Sequence, residues 1–432
     1  MPATLPPAVT PLPPVVGGLP RVGAGLSLLR DPTAFFAAAR ARHGDTFVVD
    51  AFGYRLFCVF SPEGVSSLYK LPEAQASFGL ATYRLIKFKL PQDLLLGRRT
   101  TPHRLFGNQE VEGYLDALQH AVDEELAVLG DRGQLEVFAE MRRLAHRLGF
   151  GSWLGREAAS PAYLDRLMPL FDRIDSAEAF VRPAQAFITK ATKQRREIAA
   201  MHGIEQIVGE IWSERQASGR REGDFLEQLF ATWSDVAPDE QVIGVARDVI
   251  MLHVGALSNL YAALAWTLVN VVTRPDVLAR VRAGDDVLLE HVASESIRMA
   301  QRSITLREVL QPITVETGGR SYDLAPGTFV TTMLSVTNTT SAPTLADFDP
   351  DHYQGRKLVV DLPARELVST FGHRSHSCPA SRFSISAIRI ATRAFVDRYD
   401  LTPRFDAAAP RKRQIGGVAR AARPCLVDYR RL

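Results

Sequence analysis

The stretch "STFGHRSHSCPASRFSISAIRIATRAF", residues 369–395, gathers His373, His376 and Cys378 ahead of a helical pattern. Four chemistries suit such a group. A lone cysteine is by default a small buried hydrophobe. A zinc site would need a fourth ligand, and no CxxC pair or further nearby ligand supplies one. A nucleophilic cysteine would want a base, for which His376 is in reach. The fourth follows from Pro379, which lacks an N–H and so fits the first turn of a helix. Cys378 would then stand at a helix N-terminus, where the dipole and unpaired N–H groups favour a thiolate. A thiolate so placed can ligate haem iron.

The elements that must position these residues are mostly helical. "RDPTAFFAAARARHGD" reads as a helix with Asp31 as N-cap, Pro32 in its first turn and Gly44 at its end. "TFVVDA" and "YRLFCVFS" flank "FGY" as a strand hairpin. From about Leu94 to Gly318 the pattern predicts helices, broken near Pro161, Pro183, Pro238 and Pro275. Strands return in "RSYDLAPGTFVTTMLSV", a last helix is expected from Pro379 to Tyr399, and the tail reads as irregular strands. Between Asp248 and Arg274 runs "VIMLHVGALSNLYAALAWTLVNVVT", uncharged and long enough to span a bilayer. Its polar residues His253, Ser258, Asn259 and Asn270, and the charged helical sequence around it, favour a buried central helix. The expected fold class is mostly α with small marginal β-sheets. Residues 1–20 read as a proline-rich, polyproline-like lead-in, and residues 21–432 as a single large domain.

Composition narrows the function. The 432 residues carry a net charge of +3, which gives no case for nucleic acid. Three scattered cysteines cannot build a disulfide framework, so a reducing, cytoplasmic setting is expected. The N-terminus shows neither a signal peptide nor a membrane anchor.

The cysteine segment resembles the haem-binding signature of the cytochrome P450 family, Phe-x-x-Gly-x-x-x-Cys-x-Gly, often with Arg or His two residues before the Cys. Phe371, His376 and Cys378 match it, while Arg374 and Ala380 replace the two glycines. Arginine at the first glycine position departs from the pattern, since glycine eases a tight turn there, and a rearranged ligand loop is expected. Other matches follow in the family's order. "ESIRMAQ" supplies the Glu295–Arg298 pair, "DFDPDHYQG" resembles the segment completing its network with His352, and "YDLAPGTFVTTMLSV" and "RDPTAFFAAARARHGDTFVV" resemble flanking elements.

The resemblance implies a P450-like haem domain with Cys378 as axial ligand to haem b iron. His376 and Arg307 would contact the haem carboxylates, with Arg99, His103 and Arg104 as further candidates and Phe371 and Ala256 against the porphyrin. Pro379 removes one N–H that would otherwise face the sulfur. On the central helix, Gly255 and Ala256 match the family's small pair, so Ser258 falls on the relay acid and Asn259 on the relay alcohol. Asparagine does not shuttle protons. It also occurs there in members related to prostacyclin synthase and sterol 7α-hydroxylase. Leu252 and Gly255 on the central helix, Tyr83 and Phe88 within Thr82–Phe88, and Ser303, Ile304 and Thr305 are the expected substrate pocket. Arg382, Arg389 and Arg393 form a basic stripe suited to an acidic ferredoxin or flavodoxin. The implied activity is insertion of one oxygen atom into a lipophilic small molecule in secondary metabolism, by a monomer. A donor-independent rearrangement or peroxide-using enzyme, and a non-catalytic haem binder, are the alternatives.

Overall fold

The computed structural model describes residues 12–87, 89–95, 98, 108–175, 188–355, 358 and 361–432, with the side chains of 108–114 left aside. Proline marks where many of its helices begin. The helices Pro32–His43, Pro62–Lys70, Pro161–Ile174, Pro238–Val272 and Pro275–Arg282 all open on proline, whose missing N–H costs nothing in the first turn. The first is capped as its sequence predicts: Asp31 accepts from the Ala34 N–H, and Gly44 closes it at φ 82°. The predicted break at Pro183 lies outside the described residues.

The helix Pro238–Val272 is the axis of the molecule. From Val249 on, only Gly255 and Asn259 are exposed. Its apolar window has the length and composition of a membrane span, yet 61% of that window is buried within the protein. Helices Val137–Trp153, Arg195–Ser218, Asp286–Ala300 and Ser381–Arg398 surround it and share one hydrophobic core with it. A helix apolar on every face is stable only in such a setting.

The sheets sit at the margins. Six strands run in the order β1 (Val15–Val16), β2 (Thr46–Ala51), β3 (Tyr54–Val59), β9 (Phe329–Met333), β6 (Ile304–Val309) and β4 (Ala76–Ser77). The hairpin β2–β3 turns through Phe52 and Gly53, both at positive φ, which suits the twist of a two-residue connection. A second sheet joins β10 (Tyr399–Pro403), β11 (Leu426–Arg431) and β5 (Arg132–Glu136), and β7 (Ile313–Thr317) pairs with β8 (Arg320–Leu324). The whole is a mostly helical, P450-like fold in a single domain.

Three expectations change. The segment read as helical throughout contains β5, β6 and β7. β5, "RGQLE", has one buried apolar residue, Leu135, so period-2 alternation could not announce it. Val15–Val16, within the lead-in, is strand rather than polyproline, paired in parallel with Val48–Val49. The last helix starts at Ser381, so Pro379 lies in the turn before it and Cys378 stands three residues ahead.

Candidate haem and substrate site

The ligand loop is built by backbone bonds at its two ends. The Cys378 N–H donates to Phe371 O over 2.6 Å, closing Phe371–Cys378 into a loop. Inside it, His373 Nε2 donates to Val368 O at 2.9 Å, and the Gly372 N–H donates to Ser369 Oγ at 3.1 Å. Gly372 has φ 75°, and a Cβ there would meet His376 O at 2.1 Å, so only glycine fits. Arg374 takes the left-handed conformation itself, at φ 53°. The turn is therefore made with an arginine at positive φ, and the arginine carries the strain. Its Nε donates to Glu366, 3.1 Å away and buried.

Cys378 lines a cavity of about 960 Å3. Cys58 and Cys425 are buried elsewhere, in β3 and beside β11. Burial pushes the Cys378 thiol above its ordinary value, and a hydrogen bond from the Ala380 N–H acts the other way. This corrects the expectation that the helix end alone favours a thiolate. The start of the helix lies past Cys378, and desolvation outweighs it. A metal ion would have to displace the proton on binding.

Arg307 and His376 meet at the cavity edge. Arg307, in β6, is fully buried and donates to Ala76 O at 3.1 Å and to Leu71 O. Its Nη2 donates to His376 Nε2, and Phe78 packs on the imidazole at 4.5 Å between ring centres. Burial lowers the pKa of both groups, and the guanidinium lowers that of His376 further. Arg307 Nε is buried with no hydrogen-bond partner among the described residues. A guanidinium with an orphaned N–H, bonded to an imidazole that lines the cavity, suits a carboxylate. With a cysteine and apolar walls in the same cavity, the residues fit haem. Arg99, His103, Arg104 and Phe88 lie outside the described residues.

The wall formed by the central helix carries Asp248, Leu252, Gly255, Ala256 and Asn259, while Phe371, Ser303, Ile304 and Thr305 line the cavity elsewhere. Ser258 does not line it. Its Oγ donates to Asp175 Oδ1 at 2.7 Å, and Asp175 also pairs with Arg420 at 3.1 Å. At about 100° per residue, Ser258 sits on the flank of the face shared by Gly255 and Asn259. The reading of Ser258 as a relay group in the cavity is corrected on that ground. Tyr83 is also absent from the lining, where Thr82 and Leu85 of its helix stand. Sequence reasoning missed Gln301, Thr370 and the tail loop bearing Ile415, Gly416 and Val418. The one available signal for that loop was the Gly416–Gly417 pair in an otherwise basic tail.

The Glu295–Arg298 pair is fully buried. Arg298 donates to Glu295 at 2.5 and 2.6 Å and to the carbonyls of Asn338, Leu345 and Asp347. Glu295 Oε1 accepts from the Asp349 N–H at 2.9 Å and faces His352 Nδ1 at 3.1 Å. The network thus fastens the segment 338–352 to the helix Asp286–Ala300. The arginine stripe does not stand free. Arg389 lies 3.8 Å from both Asp286 and Glu290, and Arg393 pairs with Asp286 and Asp397. These acids, from two neighbouring helices, offset the positive face.

No family model matches the chain. Three characterised proteins are similar to it. Sterol 14-demethylase of Arabidopsis thaliana is 22% identical over 216 residues, 48% of this chain and 43% of its own. Cytochrome P450 88A1 of Zea mays is 26% identical over 222 residues, 49% of this chain and 40% of its own. In both cases the match therefore spans under half the relative's length. Human 24-hydroxycholesterol 7-alpha-hydroxylase is 19% identical over 442 residues, covering 94% of this chain and 91% of its own. These likenesses, with the fold and the cysteine loop, support placing the chain in the cytochrome P450 family. The P450 relatives bind haem through a cysteine thiolate.

Proposed function

We propose that the chain is a haem-thiolate monooxygenase. It inserts one oxygen atom from O2 into a lipophilic small molecule of secondary metabolism. Electrons come from a ferredoxin- or flavodoxin-type partner, and the enzyme acts as a cytoplasmic monomer. The observation that carries this reading is one large, mainly apolar cavity lined by Cys378 and His376, with Arg307 bonded to His376 at its edge.

Each residue has a part. Cys378 would hold the iron through its sulfur, whose charge the Ala380 N–H would moderate. Arg307 and His376 would hold the propionates. When bound, haem supplies a reducible iron whose thiolate ligand favours O–O cleavage. Leu252, Gly255, Ala256 and Ile304 keep water from the substrate, and Glu295, Arg298 and His352 hold the loops around the site.

A second reading is a rearrangement that needs no electron donor. It is favoured by the central helix, where Ser258 is turned to Asp175 and Asn259 has no titratable proton. The purified protein is first reduced under carbon monoxide. The long-wavelength absorbance band of a thiolate-ligated carbon monoxide complex is expected, and its absence with haem retained would sink the thiolate assignment. Incubation with a lipophilic extract, with and without a ferredoxin, its reductase and NADPH, then separates the readings. A product one oxygen heavier and dependent on electrons is expected. A product of unchanged mass formed without electrons would establish the rearrangement instead.

A further inference from the structure

On the cavity's central-helix wall, Asn259 carries the one side-chain donor without a hydrogen-bond partner among the described residues. Its other end is fixed. The Val418 N–H donates to Asn259 Oδ1 at 2.9 Å. A backbone N–H can only donate, so the oxygen must face Val418 and the amide NH2 must face away from it. The residue is exposed although its helix is the core of the protein, because it fronts the cavity.

Val418 is held firmly enough to impose this. It belongs to a tail loop laced to the strand of chain before β6. Gly416 N donates to Arg302 O, Arg302 N to Gly417 O and Ala419 N to Ala300 O, all within 2.9 Å. Gly417 N donates to Ser303 Oγ at 2.9 Å, and the Trp266 indole donates to Ala419 O. Gly417 itself has φ 63°, and a Cβ on it would stand 2.5 Å from Asn259 Oδ1. The loop therefore approaches Asn259 as closely as backbone allows. Nearby polar side chains are spent on the protein. Gln301 Oε1 takes Arg302 N, Ser303 N and Ser303 Oγ, and Thr305 Oγ1 pairs with Tyr69.

We infer that Asn259 is a specificity-determining residue: its amide NH2, aimed by the Val418 N–H, selects lipophiles that carry a hydrogen-bond-accepting oxygen. An apolar wall with a preset donor binds an acceptor oxygen at little reorganisation cost. A hydrocarbon of the same shape leaves that donor unsatisfied. The inference rests on the proposed function for the occupant of the cavity, though not on the reaction.

The test is displacement of the fluorescent lipophile Nile red from the holoprotein by three matched pairs: androstan-17-one and androstane, cyclododecanone and cyclododecane, dodecan-2-one and dodecane. At least one ketone is expected to displace the dye with roughly tenfold preference over its hydrocarbon, the worth of one such bond. Asn259→Leu should abolish that preference. Ser258→Ala, one position back on the same helix but turned to Asp175 outside the cavity, should retain it. Absence of a ketone preference in every pair, absence of binding included, overturns the inference. So does a preference that survives Asn259→Leu or disappears equally in Ser258→Ala. The dye reports binding whether or not the reduced protein gives its carbon monoxide band. A missing band with the ketone preference intact would overturn the proposed function alone.

Discussion

Arg374 holds a backbone conformation that side chains avoid, and this sets up an inversion. At most positions, replacing alanine by glycine weakens a protein by about 0.5–1 kcal/mol, because the glycine chain loses more freedom on folding. At φ 53° the Cβ of any other residue crowds the backbone by about 1–2 kcal/mol. Comparing Arg374→Ala with Arg374→Gly cancels the loss of the Glu366 contact, since both variants lack it. What remains is about 1–2 kcal/mol of relief less about 0.5–1 kcal/mol of entropy. Glycine should therefore be the more stable by about 0.75 kcal/mol, and by no more than about 1.5 kcal/mol. The wild type should lie close to the glycine variant, because its ion pair, with Arg374 38% exposed, is worth at most about 1 kcal/mol. Urea midpoints followed by circular dichroism, compared at equal transition slope, measure the order. An alanine variant as stable as the glycine variant, or more so, would refute the strain argument.

Other outcomes follow from buried groups. Arg298→Ala leaves Glu295 as an unpaired buried charge and three carbonyls without their donor, and should cost about 3–5 kcal/mol in urea unfolding. A loss under about 1 kcal/mol would show that the network is not structural. His253 and His146 bond to each other in the core at 3.0 Å, and burial lowers the pKa of both, with the neighbouring imidazole lowering His253 further. The folded state then binds fewer protons than the unfolded chain below about pH 6.5, so stability is full above that value and declines beneath it. Between about pH 7.5 and 5.5, His253→Phe, which suits a pocket of Phe150, Trp153 and Phe171, should lose about 1 kcal/mol less than wild type. Equal losses would show that the pair does not titrate. Arg307→Leu should speed transfer of haem to a scavenging apoprotein roughly tenfold to a hundredfold, and an unchanged rate would remove Arg307 from the propionate site.

How legible the molecule was depended on the range of the forces involved. Helix starts at Pro32, Pro161, Pro238 and Pro275 were readable because capping is local, and the central helix because its period is unbroken by charge. β5 was not, since its pairing partner β11 lies far along the chain and burial of Leu135 alone leaves no alternation. Composition likewise could not show that Asp286, Glu290 and Asp397 would offset Arg389 and Arg393. The acids are local to neither arginine except Asp397, four residues after Arg393, whose pairing the helical period would have allowed.

The ligand loop shows the same division within ten residues. Its cysteine, histidine and phenylalanine could be read because chemistry fixes residue type. The arginine could be read only as a departure, and the sequence suggested that the backbone would yield. In the structure the arginine itself takes the left-handed conformation that a glycine would take without strain. Two contacts explain why the path is inflexible. The Cys378 N–H is committed to Phe371 O, and Gly372 passes so close to His376 O that no rerouting of the span between them is open. A loop closed at both ends admits one conformation at its middle, whichever residue stands there. The strain at Arg374 is thus imposed by its neighbours. The same closure would force an alanine at this position into the same dihedral, which is why the alanine variant is expected to suffer where the glycine variant does not.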